Sequence, residues 1–539
     1  MRVKSSAVNI SLMKSPEFMP VATPPVAAPE EGRAPLPLAG ISQDELRLSR
    51  RVQWAQALVL AALFASPAIL CLRESCVNDP DVWWHLRAGE WILQHRAVPQ
   101  TDPFSSFGAG KFWAAYSWLF EMLIWRLFQS LGLVGIVAYT AGMAVAITVV
   151  LHRLIRRLQA DFTLAVLLTL AASYSLTRLY TPRPWLFTVL FFALELDLLI
   201  AARRTGKMRG LLWLPVIFAL WANLHIQFID GLVVLAIAWA EAVAACRWSA
   251  VQTRLRPGWL GCVSVACLLA PLANPYGWRI YQVAYDLASQ SGVLDKVTEL
   301  SAMPFRRLDD WCVLLLALAA VAVLARARRL EFFEILLLAF SILVSFRSQR
   351  DVWVVVIAAS AILASGLKGE DQNRLRLTVS FAPLVAVLTG LAVLLGFCAL
   401  RVNNAGLGAK LAESLPVRAV EVVKEKGWSG PLYNDYNWGG YLIWALRLPV
   451  SIDGRAALYG DERINRSVAT WSGGPDWATD PDLRKAGVVI GPVGAPLTQL
   501  LRLDPSFELA YEDKLAAVFV ARPASSSAAA ASPRPPAAR

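Results

Sequence analysis

Residues 57–70 read ALVLAALFASPAIL, fourteen positions without a charge, and residues 382–400 read APLVAVLTGLAVLLGFCAL, nineteen more. A hydrocarbon core of ~30 Å takes roughly 20 mainly apolar residues to cross as a helix. Similar runs recur throughout the 539-residue chain, which is 56% hydrophobic and only 17% charged, with a mean hydropathy of +0.48. An ordinary soluble domain is about 45–50% apolar and about 25% charged. The chain reads as an all-α polytopic membrane protein embedded in a lipid bilayer.

Spans are expected at about 54–72, 132–151, 162–180, 185–201, 211–229, 231–247, 258–273, 311–325, 331–346, 350–366 and 379–400, eleven in all. The formal charge of +12 could suggest nucleic acid as a partner, but the basic residues are bunched between the runs: RLSRR at 47–51, HRLIRR at 152–157, ARRTGK at 202–207, RLRPG at 254–258 and RARR at 326–329. That is the pattern of short cytoplasmic loops, and it argues against a nucleic-acid binder. It places the N-terminus inside and, with an odd number of spans, the C-terminal segment outside. The expected location is a plasma (inner) membrane.

The domain reading follows. Residues 1–50, rich in Pro, Ala, Glu and Ser, are expected to be a disordered cytoplasmic tail. Residues 51–400 form the transmembrane domain, with a long first outer loop at 73–131. Residues 401–522 form a small extracytoplasmic α/β domain, and 523–539 a low-complexity tail. In that outer domain VRAVEVVKEKG (417–427) predicts an amphipathic helix ended by Gly427. GPLYN (430–434), LPVSID (448–453) and KAGVVIG (485–491) predict strands, WGGYLIWAL (438–446) a helix or a strand, and FELAYEDKLAAVFVAR (507–522) a hairpin around EDK.

In the outer loop, VNDPDVWWHLRAGEW (77–91) predicts a helix capped by Asp79, with Pro80 in its first position, running to about His95 in the membrane interface. SWLFEMLIWRLFQS (117–130) predicts either a second interfacial helix or the outer part of the second span. Cys71 and Cys76 are close enough in sequence for a short bridge. The polar motifs TRLYTPRPW (177–185), ANLHIQFIDG (222–231), ANPYGWRIY (273–281) and FRSQRD (346–351) fall at the same outer face as this loop. Ionisable groups at a membrane are expensive and mark function by default.

The chain lacks a P-loop, a GxSxG elbow, a GxGxxG after a strand and a His-rich metal motif, and it holds only four histidines. Carboxylates and arginines remain. Asp81 and His85 are four residues apart and share a helix face. Arg178, Arg183, Arg347 and Arg350 are candidates to grip a phosphate, because a guanidinium does so bidentately. Trp84, His85, Asn223, His225 and Arg455 are candidate substrate contacts. A carboxylate to take a proton, with cations to stabilise a departing phosphate, suits group transfer from a lipid phosphate.

Paired acids in the first outer loop, many spans and a soluble outer domain resemble the GT-C-type glycosyltransferases, the relatives of protein mannosyltransferases and aminoarabinose transferases. More narrowly, DPDVWWHLRAGEWILQHRAVPQTDPFS, NLH, NPYG and NDYNWGGYLIW with VSIDGRAALYG are similar to a group of bacterial multi-pass membrane proteins classed beside them. The resemblance implies a polyprenyl-phosphate sugar as donor, a glycan, lipid or protein as acceptor, and inversion at the anomeric carbon. It gives the base role to Asp79 or Asp81, with Asp81 preferred because Trp84 and His85 follow three and four residues on. Pro80 separates the two acids where relatives often have them adjacent. Some relatives use a divalent cation such as Mg or Mn and others none; no other cofactor is implied. The competing readings are a carrier or flippase for a lipid-linked substrate, and a non-catalytic scaffold with a binding domain.

Overall fold

In a computed structural model of the protein, the described residues are 43–74, 77–289, 300–327, 331–367 and 381–522. The two expected tails, apart from the start of the first helix, lie outside them, as does Cys76 of the suggested bridge. The chain divides into two units between Val52 and Gln53, and of the first only the first turns of α1 are described.

The helices before residue 400 are α1 (Gln43–Glu74), α2 (Val82–His95), α3 (Trp118–Leu131), α4 (Leu133–Leu158), α5 (Phe162–Ser175), α6 (Trp185–Thr205), α7 (Leu214–Leu224), α8 (Phe228–Ala245), α9 (Pro257–Leu269), α10 (Arg279–Ser289), α11 (Leu308–Ala325), α12 (Phe332–Arg347), α13 (Val352–Gly366) and α14 (Ala382–Ala399). Each expected span thus holds a helix. Among the described residues seven segments are long and apolar enough to cross a membrane, and 162–175, 208–224 and 257–272 are shorter apolar helices.

Burial sorts these helices by position. Every residue of α13 from Val352 to Ala364 is buried, so this helix is the axis of the bundle. A helix apolar all round is either central or lipid-facing, and α14 is the opposite case, with Val387, Leu391, Leu394 and Leu395 exposed. At the end of the bundle expected to face the cytoplasm, two of the basic clusters also join helices through ion pairs. Arg157 holds Asp197 of α6 at 2.5 and 2.9 Å, and Arg203 holds Glu241 of α8 and Glu334 of α12.

The outer loop departs from expectation at its start. α2 begins at Val82, with Asp81 rather than Asp79 preceding it; the Asp79 carboxylate instead accepts the Asp81 backbone N–H at 2.9 Å. The alternative left open for 117–130 resolves as a separate helix, because Gly132 (φ +65°) breaks the chain between α3 and α4. α2 and α3 cross where Gly89 meets the backbone of Glu121; a Cβ on Gly89 would lie 2.6 Å from the Glu121 carbonyl carbon.

The C-terminal segment contains α15 (Asn404–Leu411), α16 (Val417–Lys426), β1 (Leu432–Asn434), α17 (Gly439–Leu446), α18 (Ala456–Trp471), α19 (Pro481–Arg484), β2 (Val488–Pro492), α20 (Pro496–Leu501), β3 (Phe507–Glu512) and β4 (Ala516–Ala521). The sheet order is β1-β2-β4-β3, parallel between the first two and antiparallel after that. Gly427 ends α16 at φ +65° as expected. WGGYLIWAL forms a helix, α17. LPVSID is not a strand: its backbone pairs with the outer loop, Ser106 N–H to the Val450 carbonyl at 3.0 Å and Val450 N–H to the Phe104 carbonyl at 3.2 Å. The segment is therefore no appendage. Trp83 of α2 packs against Tyr441 and Trp444 of α17 with ring centroids 5.3 and 4.9 Å apart, in the same core as the helical bundle.

Replacing Gly89 with Leu would push α2 off α3, an overpacking cost of roughly 1–3 kcal/mol. Purified Gly89→Leu protein is expected to melt at a lower temperature than wild type in a detergent-based thermal-shift measurement.

Candidate active site

Arg183 lies between α5 and α6, in a loop stiffened by Pro182 and Pro184. Its Nε donates to Asp79 at 2.7 Å and an Nη donates to Asp81, while its own carbonyl accepts the Tyr139 hydroxyl at 3.0 Å. The guanidinium also lies 5.1 Å from the Trp185 ring. One arginine thus bridges both acids of the outer loop. Asp79 opens onto a cleft of about 280 Å³ between the outer end of α1 (Leu70, Cys71, Glu74) and the turn after α5 (Tyr180, Thr181).

The second wall of the site comes from the far end of the chain. The Asp81 carboxylate rests on Gly454, so closely that any Cβ there would collide with it. Gly440 gives the same room to the start of α2: a Cβ would lie 2.5 Å from the Pro80 carbonyl oxygen. Gly454 is fixed by its neighbours. Asp453 accepts from Arg455 Nε at 2.8 Å and Nη2 at 2.7 Å and from the Tyr459 hydroxyl, and Arg455 Nη1 reaches Asp102 of the outer loop at 2.5 Å. Asp102 in turn accepts the Phe104 and Ser105 backbone N–H groups.

The remaining expected residues divide. Arg350 lies in the turn between α12 and α13; its Nε is buried without a hydrogen-bond partner, and it lies 4.0 Å from Asp351. Arg178 is held elsewhere, on Asp309 (2.8 Å), Asp310 and Gln349. Arg347, at the end of α12, is exposed and makes no ion pair among the described residues. The four arginines therefore do not form one phosphate cluster; Arg183 is the one that holds the two aspartates.

Asn223 is spent on the fold: it accepts from Trp118 Nε1 at 2.7 Å and donates to the Ala219 and Ala273 carbonyls. His225 is buried and bonds Thr188 at 2.8 Å. Arg455, with all its nitrogens on Asp453 and Asp102, is a tether rather than a substrate contact. Trp84 stacks beside His85, and its Nε1 is buried without a partner.

Sequence reasoning missed Glu121. Its Oε1 lies 3.3 Å from His85 Nδ1, its Oε2 is buried without a partner, and burial raises its pKa to about 8. The signal available was a lone acid in the apolar run SWLFEMLIW. It also missed Tyr276 of NPYG, whose hydroxyl donates to the Pro99 carbonyl and accepts the Ala115 N–H, both at 2.8 Å, tying that loop to the site.

A divalent cation does not fit this arrangement. Among the described residues no three His, Cys, Asp or Glu side chains stand together as ligands could. Asp79 and Asp81, the nearest pair of acids at the site, are both held by the Arg183 guanidinium.

No family model and no curated protein matches the chain. Among solved structures, the crystal structure of the Archaeoglobus fulgidus oligosaccharyltransferase, tethered through a disulfide bond with an acceptor peptide containing the NVT sequon, matches over 82% of this chain and 69% of that one, with a TM-score of 0.51 and 12% identity. The chain has a GT-C fold. A second GT-C match, ArnT from Cupriavidus metallidurans bound to undecaprenyl phosphate, has a TM-score of 0.42 and 14% identity over 85% of this chain and 97% of that one. The GT-C likeness is one of fold; activity is argued below from this chain's own residues.

Removing one partner of a buried ion pair leaves the other uncompensated, which costs about 3–5 kcal/mol. Arg455→Met is therefore expected to lower thermal stability strongly and to make the segment after residue 401 accessible to limited proteolysis, read by mass spectrometry.

Proposed function

We infer that this protein is an inverting glycosyltransferase that moves a sugar from a polyprenyl-phosphate donor to an acceptor hydroxyl or amine at the extracytoplasmic membrane face. The observation that carries the reading is the Arg183 guanidinium, bridged by Asp79 and Asp81 beside a cleft whose walls are α1 and the turn after α5. The GT-C fold supports it.

Charge balance gives the parts their roles. Arg183 with two aspartates carries a net negative charge, so a phosphate can enter only if it displaces a carboxylate or meets a second cation. Arg350, with its unpartnered Nε, supplies that cation. Arg183 and Arg350 then hold the phosphate as it gains charge on leaving, where fixed donors in a water-poor site are most effective. Asp79 and Asp81 keep Arg183 aimed at the cleft. Asp81, to which the family resemblance gives the base role, must release Arg183 before it can accept a proton.

The test is transfer of radiolabel from a panel of polyprenyl-phosphate sugars in membranes containing the full chain and native acceptors. Wild type is expected to move label from at least one donor, and Asp79→Asn, Asp81→Asn and Arg183→Lys to lose on the order of 10²-fold or more while accumulating normally. Gly454→Ala, which adds one methyl against Asp81, is expected to lose transfer by at least ~10-fold for the same reason. Silence from wild type on every donor, with the protein folded, would sink the transferase reading.

A further inference from the structure

We propose that His85, oriented by Glu121, takes the proton from the acceptor hydroxyl or amine. This inference rests on the transferase reading and names a base for it other than the acids of the outer loop.

Asp81, His85 and Gly89 lie at four-residue spacing and so form one stripe along α2. At one end the stripe meets Arg183. At the other, Gly89 lets α3 approach, and Glu121 meets His85 one turn nearer the Asp81 end. The Asp81 carboxylate is engaged by Arg183 and pressed against Gly454, whereas His85 turns Nδ1 to Glu121 and its Nε2 makes no hydrogen bond among the described residues. A ring nitrogen without a hydrogen-bond partner, with the other nitrogen held by a carboxyl, is the arrangement by which a base is oriented for its task. Glu121 has one oxygen on the ring and one buried and unpaired, so no cation holds it in the ionised form directly.

The neighbours set the electrostatics. Burial, then Arg183, His225 and Arg455, push the His85 pKa well below its usual value and keep the ring neutral. Burial raises Glu121 to about 8 against a weaker opposing pull from Arg455. Tyr116 and Tyr276 lie within reach of the Glu121 charge, Tyr116 also feels Asp81, and α4 presents Tyr139 behind Phe120. Below pH 8 the extra proton resides on Glu121, which donates it to Nδ1. Above it, the Glu121 carboxylate accepts the Nδ1–H and leaves the Nε2 lone pair for the acceptor.

In the step itself the acceptor O–H or N–H proton passes to His85 Nε2. The freed lone pair forms the bond to the anomeric carbon. The bond from that carbon to the phosphate oxygen breaks, and its electron pair leaves on the polyprenyl phosphate held by Arg183. The imidazolium so formed is neutralised by the Glu121 carboxylate until its proton is lost to water.

Two measurements on the full chain test this. The first is the pH profile of label transfer. Wild-type kcat should rise with pH through a limb near 8. Glu121→Gln should lose that limb and fall ~10²-fold or more in kcat with the donor KM little changed. The second is nitrogen-15 NMR of histidine-labelled protein in lipid nanodiscs, with His85→Gln assigning the signal. His85 should change from the Nε2–H to the Nδ1–H tautomer near pH 8 in wild type and not in Glu121→Gln. If wild type transfers label and both Glu121→Gln and His85→Gln keep its rate and profile, His85 is not the base, although the transferase reading stands. An imidazole that becomes charged near its usual pKa of 6.5 would also overturn the assignment. Absence of transfer by wild type overturns the transferase reading, and the base role with it.

Discussion

A guanidinium taken out of water needs carboxylates at hydrogen-bond distance, and the position of Arg455 follows from that requirement. It is buried between Asp453, two residues before it, and Asp102, 353 residues away in sequence, with the Trp113 ring 4.7 Å off. The pair with Asp102 fixes the outer loop against the C-terminal segment. That contact sets Gly454 against Asp81 and helps to fix the lateral position of α2. Since α2 carries Asp81 and His85, the geometry of the candidate site rests on an ion-pair cluster that itself performs no chemistry. Such clusters add little net stability compared with apolar packing, yet they are costly to break on one side only.

Two carboxyl environments then coexist on one pair of helices. Asp79 and Asp81 share a cation, and Glu121 has none in contact and lies enclosed. Environments that push titratable groups apart in this way are how one site holds both a charged clamp and a proton carrier near neutral pH. The separation is made by placement. The turn before α2 brings the aspartates out to Arg183, and the crossing at Gly89 draws Glu121 inward.

Much of the fold was legible. Apolar runs of span length became helices, Gly427 ended α16, and EDK turned the last hairpin, because these features depend on local periodicity and on single backbone conformations. LPVSID was misread because its alternation of apolar residues reflects burial against the outer loop rather than a ladder. The helix start was displaced from Asp79 to Asp81 because Asp79 bonds the backbone of Asp81 and turns the rest of its carboxylate to Arg183, a residue more than a hundred positions on. Of the site, the acids, His85 and Arg183 were readable as charges at one face. The occupation of Arg178 by Asp309 and Asp310, the use of Asn223 in joining helices, and the pairing of His85 with Glu121 were not. Each depends on a partner brought near by tertiary packing, and periodicity carries no record of that.

The interlock of Gly454 with Asp81 also orders the life of the chain during synthesis. Ribosomes deliver the outer loop first and the wall that closes on it some 350 residues later. A nascent chain that has inserted every helix through α14 still lacks the surface that confines Asp81 and the guanidinium that pairs with Asp102. The candidate site is therefore completed only once residues 453–455 have been made, after the helices through α14. Until then the outer loop carries its acids without the wall that encloses Asp81.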